Sequence, residues 1–95
     1  MYHVYILRSD KDGKLYTGYT TNIQQRIADH NRGHVPSTEN RRPLKLIFFE
    51  SYANKDDALR RETYLKTSAG KKAIKFMLRT TLAENSFSTL INPQY

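Results

Sequence analysis

"HVYILRSDKDGKLYTGYT", residues 3–20, reads as one antiparallel hairpin. The first arm, 3–8, is β-branched and aromatic, the composition of a buried strand. "SDKDGK" follows as the turn, with Asp12-Gly13 at its tip. "LYTGYT", 15–20, is the returning strand. Side chains alternate between faces along a strand, so Tyr16 and Gly18 share one face and Tyr19 takes the other. A glycine inside a strand marks a close approach. Beside Tyr16, the approaching group is expected to be a phosphate or the next helix.

Outward from the hairpin, Thr21 is the expected N-cap of a helix over 22–32, with Gln24 completing a capping box and Gly33 ending it. "HVPSTENRRP" is a polar, basic loop. "LKLIFFESY", 44–52, is a third strand, apolar enough to be expected in the middle of the sheet. Asn54 caps a second helix running to about Thr67, with Asp56 and Asp57 at the positive end of its dipole. Gly70 is expected to interrupt, and "KKAIKFMLR" to form a short basic helix. Past Thr80 the periodicity fades. The order β-β-α-β-α-α predicts an α+β class: a small three-stranded, antiparallel-containing sheet flanked by helices. Residues 1–80 form the expected domain, and 81–95 a tail that is docked or partly disordered.

The chain has 95 residues, enough for one modest core. It contains no cysteine, which excludes disulfides and cysteine-based zinc sites. It has neither an apolar run of membrane-spanning length nor a basic leader before "MYHVYILRSD". A cytoplasmic protein without membrane contact is expected. Lys and Arg outnumber Asp and Glu by 16 to 9, a formal charge of +7. This favours a polyanionic partner, nucleic acid first. Arg41, Arg42, Lys45, Lys66, Lys71, Lys72, Lys75 and Arg79 are candidates to hold a sugar-phosphate backbone, a contact that confers affinity without base discrimination. The competing reading is a solvated basic surface.

Polar residues interrupt both apolar helix stripes. Ile23, Ile27 and His30 recur at core-facing spacing, and Arg26 borders them. Arg26 can lay its stem on the core and send its head to water, or offer its fork to phosphate. His30 can be a satisfied, half-buried ring. Glu62 falls within the stripe Ala58, Leu65, Ala69. A carboxylate there calls for an ion pair with Arg26, Arg61 or Lys66, or for a hard cation such as magnesium. Tyr5 and Tyr16 lie on adjacent strands. Gathered around one cation, Tyr5, Tyr16, Arg26, His30 and Glu62 would suit phosphodiester hydrolysis, with a tyrosine beside a cationic group as base; pattern alone does not bring them together, and one shared cleft is the hypothesis.

"HVY" at 3–5 and "YTG" at 16–18 resemble the two signature triplets of the GIY-YIG nucleases. His3 stands at the usual first glycine, and Thr17 at the usual isoleucine or valine. "NIQQRIADHN" resembles the helix carrying the family arginine, which falls on Arg26, in its histidine-bearing variant. "ALRRETYLK" resembles the glutamate helix, placing the carboxylate at Glu62. The likeness spans about residues 2–78 and is nearest the small stand-alone UvrC-like branch of UPF0213 type. It implies metal-dependent phosphodiester hydrolysis of DNA by a structure-selective or weakly specific endonuclease, as in DNA repair. Tyr5 would position water, Tyr16 act as general base, Arg26 contact the scissile phosphate, and Glu62 hold one Mg²⁺ or Mn²⁺. A late site asparagine would fall on Asn85 by residue kind only. No obligate small-molecule cofactor is implied. The DNA would be branched or damaged, and with no room for a targeting domain, a protein partner would supply targeting. The alternatives are a nucleic-acid-binding module of the same fold without catalysis, and a basic protein that meets an acidic one.

Overall fold

The computed structural model describes residues 1–84. The chain divides into two units, Met1–Thr63 and a second beginning at Tyr64. Asn85 and most of the expected tail lie outside the described residues.

The first unit holds an antiparallel sheet of β1 (Tyr2–Ser9), β2 (Leu15–Thr20) and β3 (Leu44–Tyr52), in the order β2-β1-β3. The chain is α+β, as its pattern predicts. The third strand, however, is not central. Val4, Tyr5, Ile6 and Leu7 are each 0% exposed, so β1 is covered on both faces and paired along both edges. β3 exposes Lys45, Phe49 and Ser51 instead, as an edge strand can. Both strands are apolar, and pairing, not hydrophobicity, selects the middle one. The register slips between Ile6 and Leu7, leaving Ile47 as an extra residue on β3.

Ser9 organises the hairpin turn. Its hydroxyl accepts from the Lys11 and Asp12 amides, each at 3.1 Å, and donates to the Arg41 carbonyl at 2.7 Å. Gly13 takes the left-handed conformation that closes the turn, at φ +73°.

α1 (Ile23–Asn31) is capped by Asn22, not Thr21. The Asn22 side chain accepts from the Gln25 amide at 3.1 Å, while the Thr20 hydroxyl accepts from the Asn22 amide. Three consecutive cap-competent residues compete here, and the one whose amide oxygen reaches the third helical N–H wins. At the other end, Asn31 bonds both the Leu44 amide (2.8 Å) and carbonyl (3.0 Å), fixing α1 to the start of β3. Ile23 and Ile27 thereby pack, together with Tyr16 and Leu46, against the core of Tyr5, Leu7 and Leu44.

α2 (Lys55–Leu65) starts under Asn54, whose side chain accepts from the Asp56 amide at 2.8 Å. Arg61 reaches Glu50 at 2.8 Å, and Glu50 lies opposite Val4. That pair ties α2 to the sheet face of Val4 and Ile6, the face away from Tyr5. α2 ends at Leu65, short of the expected Thr67. Thr67 belongs to the next helix as its N-cap, accepting from the Gly70 amide at 3.0 Å. The expected stripe Ala58, Glu62, Leu65, Ala69 is cut accordingly, since Ala69 sits in α3.

The second unit contains α3 (Ser68–Met77) and α4 (Arg79–Ala83). Gly70 does not interrupt a helix but lies buried inside α3. A Cβ there would stand 2.0 Å from the Tyr64 carbonyl oxygen and 2.5 Å from Leu65 Cα. Among the described residues, no helix is long and apolar enough to cross a membrane.

Gly70→Ala must therefore displace backbone, and overpacking of this kind costs about 1–3 kcal/mol. The expected result is a lower denaturation midpoint with an unchanged m-value, measured by urea unfolding followed by circular dichroism.

Candidate active site

One row across the sheet builds the site. Tyr5 on β1 lies opposite Gly18 on β2 and opposite Phe49 on β3. A Cβ on Gly18 would stand 2.4 Å from both Cζ and the hydroxyl of Tyr5. The room at Gly18 is thus filled by the Tyr5 ring, not by a phosphate or the α1 helix as the sequence suggests. Tyr16 shares that sheet face, with its ring centroid 6.3 Å from that of Tyr5. Tyr19 takes the opposite face and stacks on Tyr2 at 6.5 Å.

α1 covers Tyr5 from above, and its polar residues converge on the phenol. The Tyr5 hydroxyl lies 2.8 Å from His30 Nε2, and Arg26 Nε donates to it at 3.4 Å. His30 Nδ1 lies 2.7 Å from the Thr38 hydroxyl, which donates to the Val35 carbonyl at 3.4 Å. Tyr5, His30 and Thr38 are all 0% exposed. The proton directions follow from valence. Thr38 gives its one proton to Val35, so it accepts from Nδ1–H. A neutral ring protonated at Nδ1 accepts at Nε2, so Tyr5 donates there. The chain runs Arg26, Tyr5, His30, Thr38, Val35, with each donor aimed at the next acceptor.

This network has electrostatic consequences. Burial first, then the neighbouring Tyr16 and Glu62, push the Tyr5 hydroxyl up to about 12 against the Arg26 hydrogen bond. Burial, with help from the Arg26 charge, pulls His30 down from its ordinary 6.5 to about 4. Arg26 moves up, held charged chiefly by its bond to Tyr5. At neutral pH the cluster is a neutral phenol, a neutral imidazole and a guanidinium.

The two tyrosines are thereby sorted. The Tyr5 hydroxyl is buried and engaged on both sides. The partly exposed Tyr16 packs its ring on His30 at 5.0 Å, and its hydroxyl makes no hydrogen bond among the described residues. Arg26, also partly exposed, uses Nε for the network and makes no side-chain hydrogen bond through its terminal nitrogens among the described residues. Glu62 is half-buried on α2, and its charge is among those acting on the Tyr5 hydroxyl. Among the described residues, no group of three or more His, Cys, Asp or Glu could hold a metal. A cation at Glu62 would have to complete its shell from phosphate and water.

The predicted basic residues occupy varied surroundings. Arg41 is committed to the Leu15 carbonyl (3.3 Å) and the Asp12 carboxylate (3.5 Å). Arg42 donates to the Glu39 carbonyl at 2.8 Å and lies against Gly33. Lys45 is exposed on β3. In the second unit, Lys66, Lys71, Lys72 and Lys75 are exposed, and the Arg79 guanidinium lies 4.3 Å above the Phe76 ring.

Thr38 is the site residue that sequence reasoning misses. It sits in a polar loop, buried there with its hydroxyl on His30. The only sequence signal was the buried-facing position of His30, whose second ring nitrogen requires a partner.

Comparison with known proteins identifies the family of the domain. The description "GIY-YIG catalytic domain" matches residues 1–75. A UPF0213 protein of Staphylococcus haemolyticus is 43% identical over 77 residues, covering 80% of this chain and 93% of the relative. A UPF0213 protein of Clostridium perfringens is 38% identical over 93 residues, covering 97% and 99%. The solution NMR structure of the UPF0213 protein BH0048 of Bacillus halodurans is 34% identical, with a TM-score of 0.50, over 81% of this chain and 85% of that one.

The depressed His30 predicts a pH dependence of stability. An unfolded chain protonates this ring below about pH 6.5, whereas the folded one resists until about pH 4. The unfolded state binds more protons in that window, so stability falls as pH drops through it, by up to roughly 3 kcal/mol. Denaturant unfolding at pH 7 and pH 5 is expected to show a smaller loss in His30→Gln than in wild type. Thr38→Val leaves Nδ1–H unsatisfied and is expected to cost about 1–3 kcal/mol at pH 7 in the same assay.

Proposed function

The chain belongs to the GIY-YIG catalytic domain family, and from that premise we propose that it is a divalent-metal-dependent endonuclease hydrolysing phosphodiester bonds in DNA. The carrying observation is the unequal fate of two neighbouring tyrosines. Tyr5 is spent on holding Arg26 and His30, while the Tyr16 hydroxyl beside them has no such commitment among the described residues.

The roles follow from that asymmetry. Tyr16 takes the proton of the attacking water, its hydroxyl lying within electrostatic reach of the Arg26 guanidinium. Arg26 presents its terminal nitrogens to the non-bridging oxygens of the scissile phosphate in a bidentate fork. Tyr5 is buried, with its hydroxyl engaged on both sides, so it positions Arg26 and does not touch water directly. His30 in turn positions Tyr5. Glu62 is the carboxylate that would hold one magnesium or manganese ion. One carboxylate completed by phosphate oxygens and water suits the coordination habit of magnesium. When bound, that ion polarises the phosphate and acidifies its water. The excess of basic residues favours the DNA backbone over any particular sequence.

Labelled DNA and RNA strands, duplexes and junctions are to be incubated with Mg²⁺, Mn²⁺ or chelator. Nicking is expected only with metal. A loss of a hundredfold or more is expected in Tyr16→Phe and in Glu62→Ala, matching the usual worth of a positioned base. Identical behaviour of wild type and Glu62→Ala on every substrate would sink the enzyme reading. Salt-sensitive binding without cleavage under any divalent ion would point to a binding module.

A further inference from the structure

Phe49 is the large apolar side chain that the sheet leaves half in water, at 50% exposure, on the face that carries Tyr5. Singly exposed apolar residues are common and call for no explanation by themselves. The surroundings of this one are unusual. In the row Gly18–Tyr5–Phe49, the Tyr5 hydroxyl reaches over Gly18, away from β3. Phe49 then flanks Tyr5 on the open side, about 5 Å away along the hydrogen-bonding direction. β3 is an edge strand, so among the described residues no further strand closes that flank.

The adjacent row adds a polar pair. His3 lies opposite Ser51, and its Nδ1 stands 2.6 Å from the Ser51 hydroxyl. The His3 ring meets the Phe49 ring edge-on, at 6.1 Å and 80°. His3 therefore braces Phe49 from one side while Ser51 fixes the His3 orientation. The Nε2 atom of His3 remains as a polar atom next to the aromatic face. A flat apolar ring, a polar edge and a chain with a charge of +7 suit a nucleotide better than an apolar peptide.

We propose that Phe49, braced by His3 and Ser51, is a stacking platform for an unpaired nucleobase next to the scissile phosphate. The substrate class is therefore DNA that is single-stranded at the cut, such as a flap or a branch. A base inside a duplex has both faces covered by its neighbours and cannot stack on Phe49. This inference rests on the nuclease reading, because it takes the phosphate beside Arg26 as the point of attack.

The test pairs a flap substrate with a fully paired duplex of the same sequence, in Mg²⁺ or Mn²⁺. Wild type is expected to prefer the flap. Phe49→Ala is expected to reduce that preference about tenfold, within the range of base–aromatic stacking, and Phe49→Tyr to retain it. An abasic nucleotide beside the cut is expected to erase the difference between wild type and Phe49→Ala. The proposal is overturned if wild type cuts both substrates equally, or if Phe49→Ala leaves the preference intact. It is also overturned if the difference persists on the abasic strand. Fluorescence anisotropy of Glu62→Ala with single-stranded and duplex oligonucleotides separates platform from chemistry. Phe49-dependent preference for the single strand in that background, without cleavage by wild type, would uphold the platform and sink the nuclease. Cleavage without any such preference would do the reverse.

Discussion

The Tyr5 hydroxyl is the point where β1, β2, α1 and the loop before β3 are bound together. It is buried, so it must be paired, and its partners come from α1: Arg26 on one side and His30 on the other. His30 passes the requirement to Thr38. A buried polar chain stabilises only when every member is satisfied, and a single missing partner leaves a costly orphan. Every link here has one, ending on the Val35 carbonyl. Gly18 is the condition for the whole arrangement, because any side chain there would occupy the volume of the Tyr5 ring.

The division of labour between the tyrosines follows from that chain. Burial and saturation make the Tyr5 phenol a poor acid, so it stays protonated and serves as a strut. Arg26 is oriented through Nε, and among the described residues the rest of its fork is available. Tyr16, one step along the same face, packs its ring on His30, and its hydroxyl is uncommitted among the described residues. Phe49, on the far side of Tyr5, extends the same row toward the open edge of the sheet.

Much of this was legible in advance where local patterns are strong. The hairpin follows from alternation and the Asp12-Gly13 turn. α1 follows from Ile23, Ile27 and His30 at helical spacing. Legibility failed where several residues of one kind compete. Thr20, Thr21 and Asn22 can all cap a helix, and side-chain reach selected Asn22. Both apolar strands could have been central, and pairing selected β1. Gly70 looked like a helix breaker, but it is required for close approach to the Tyr64 carbonyl.

The amino-acid sequence by itself determined which residue types line each face: the alternation of Tyr16, Gly18 and Tyr19, the stripe of α1, and the ordered set Tyr5, Tyr16, Arg26, Glu62. Tertiary structure alone decided that the Tyr5 hydroxyl is buried and bonded on both sides while Tyr16 stays partly exposed. It also recruited Thr38 from a loop with no periodicity. The reason is distance along the chain. Tyr5 and His30 are 25 residues apart. Whether their polar atoms meet depends on how α1 settles on the sheet, and no local pattern encodes that.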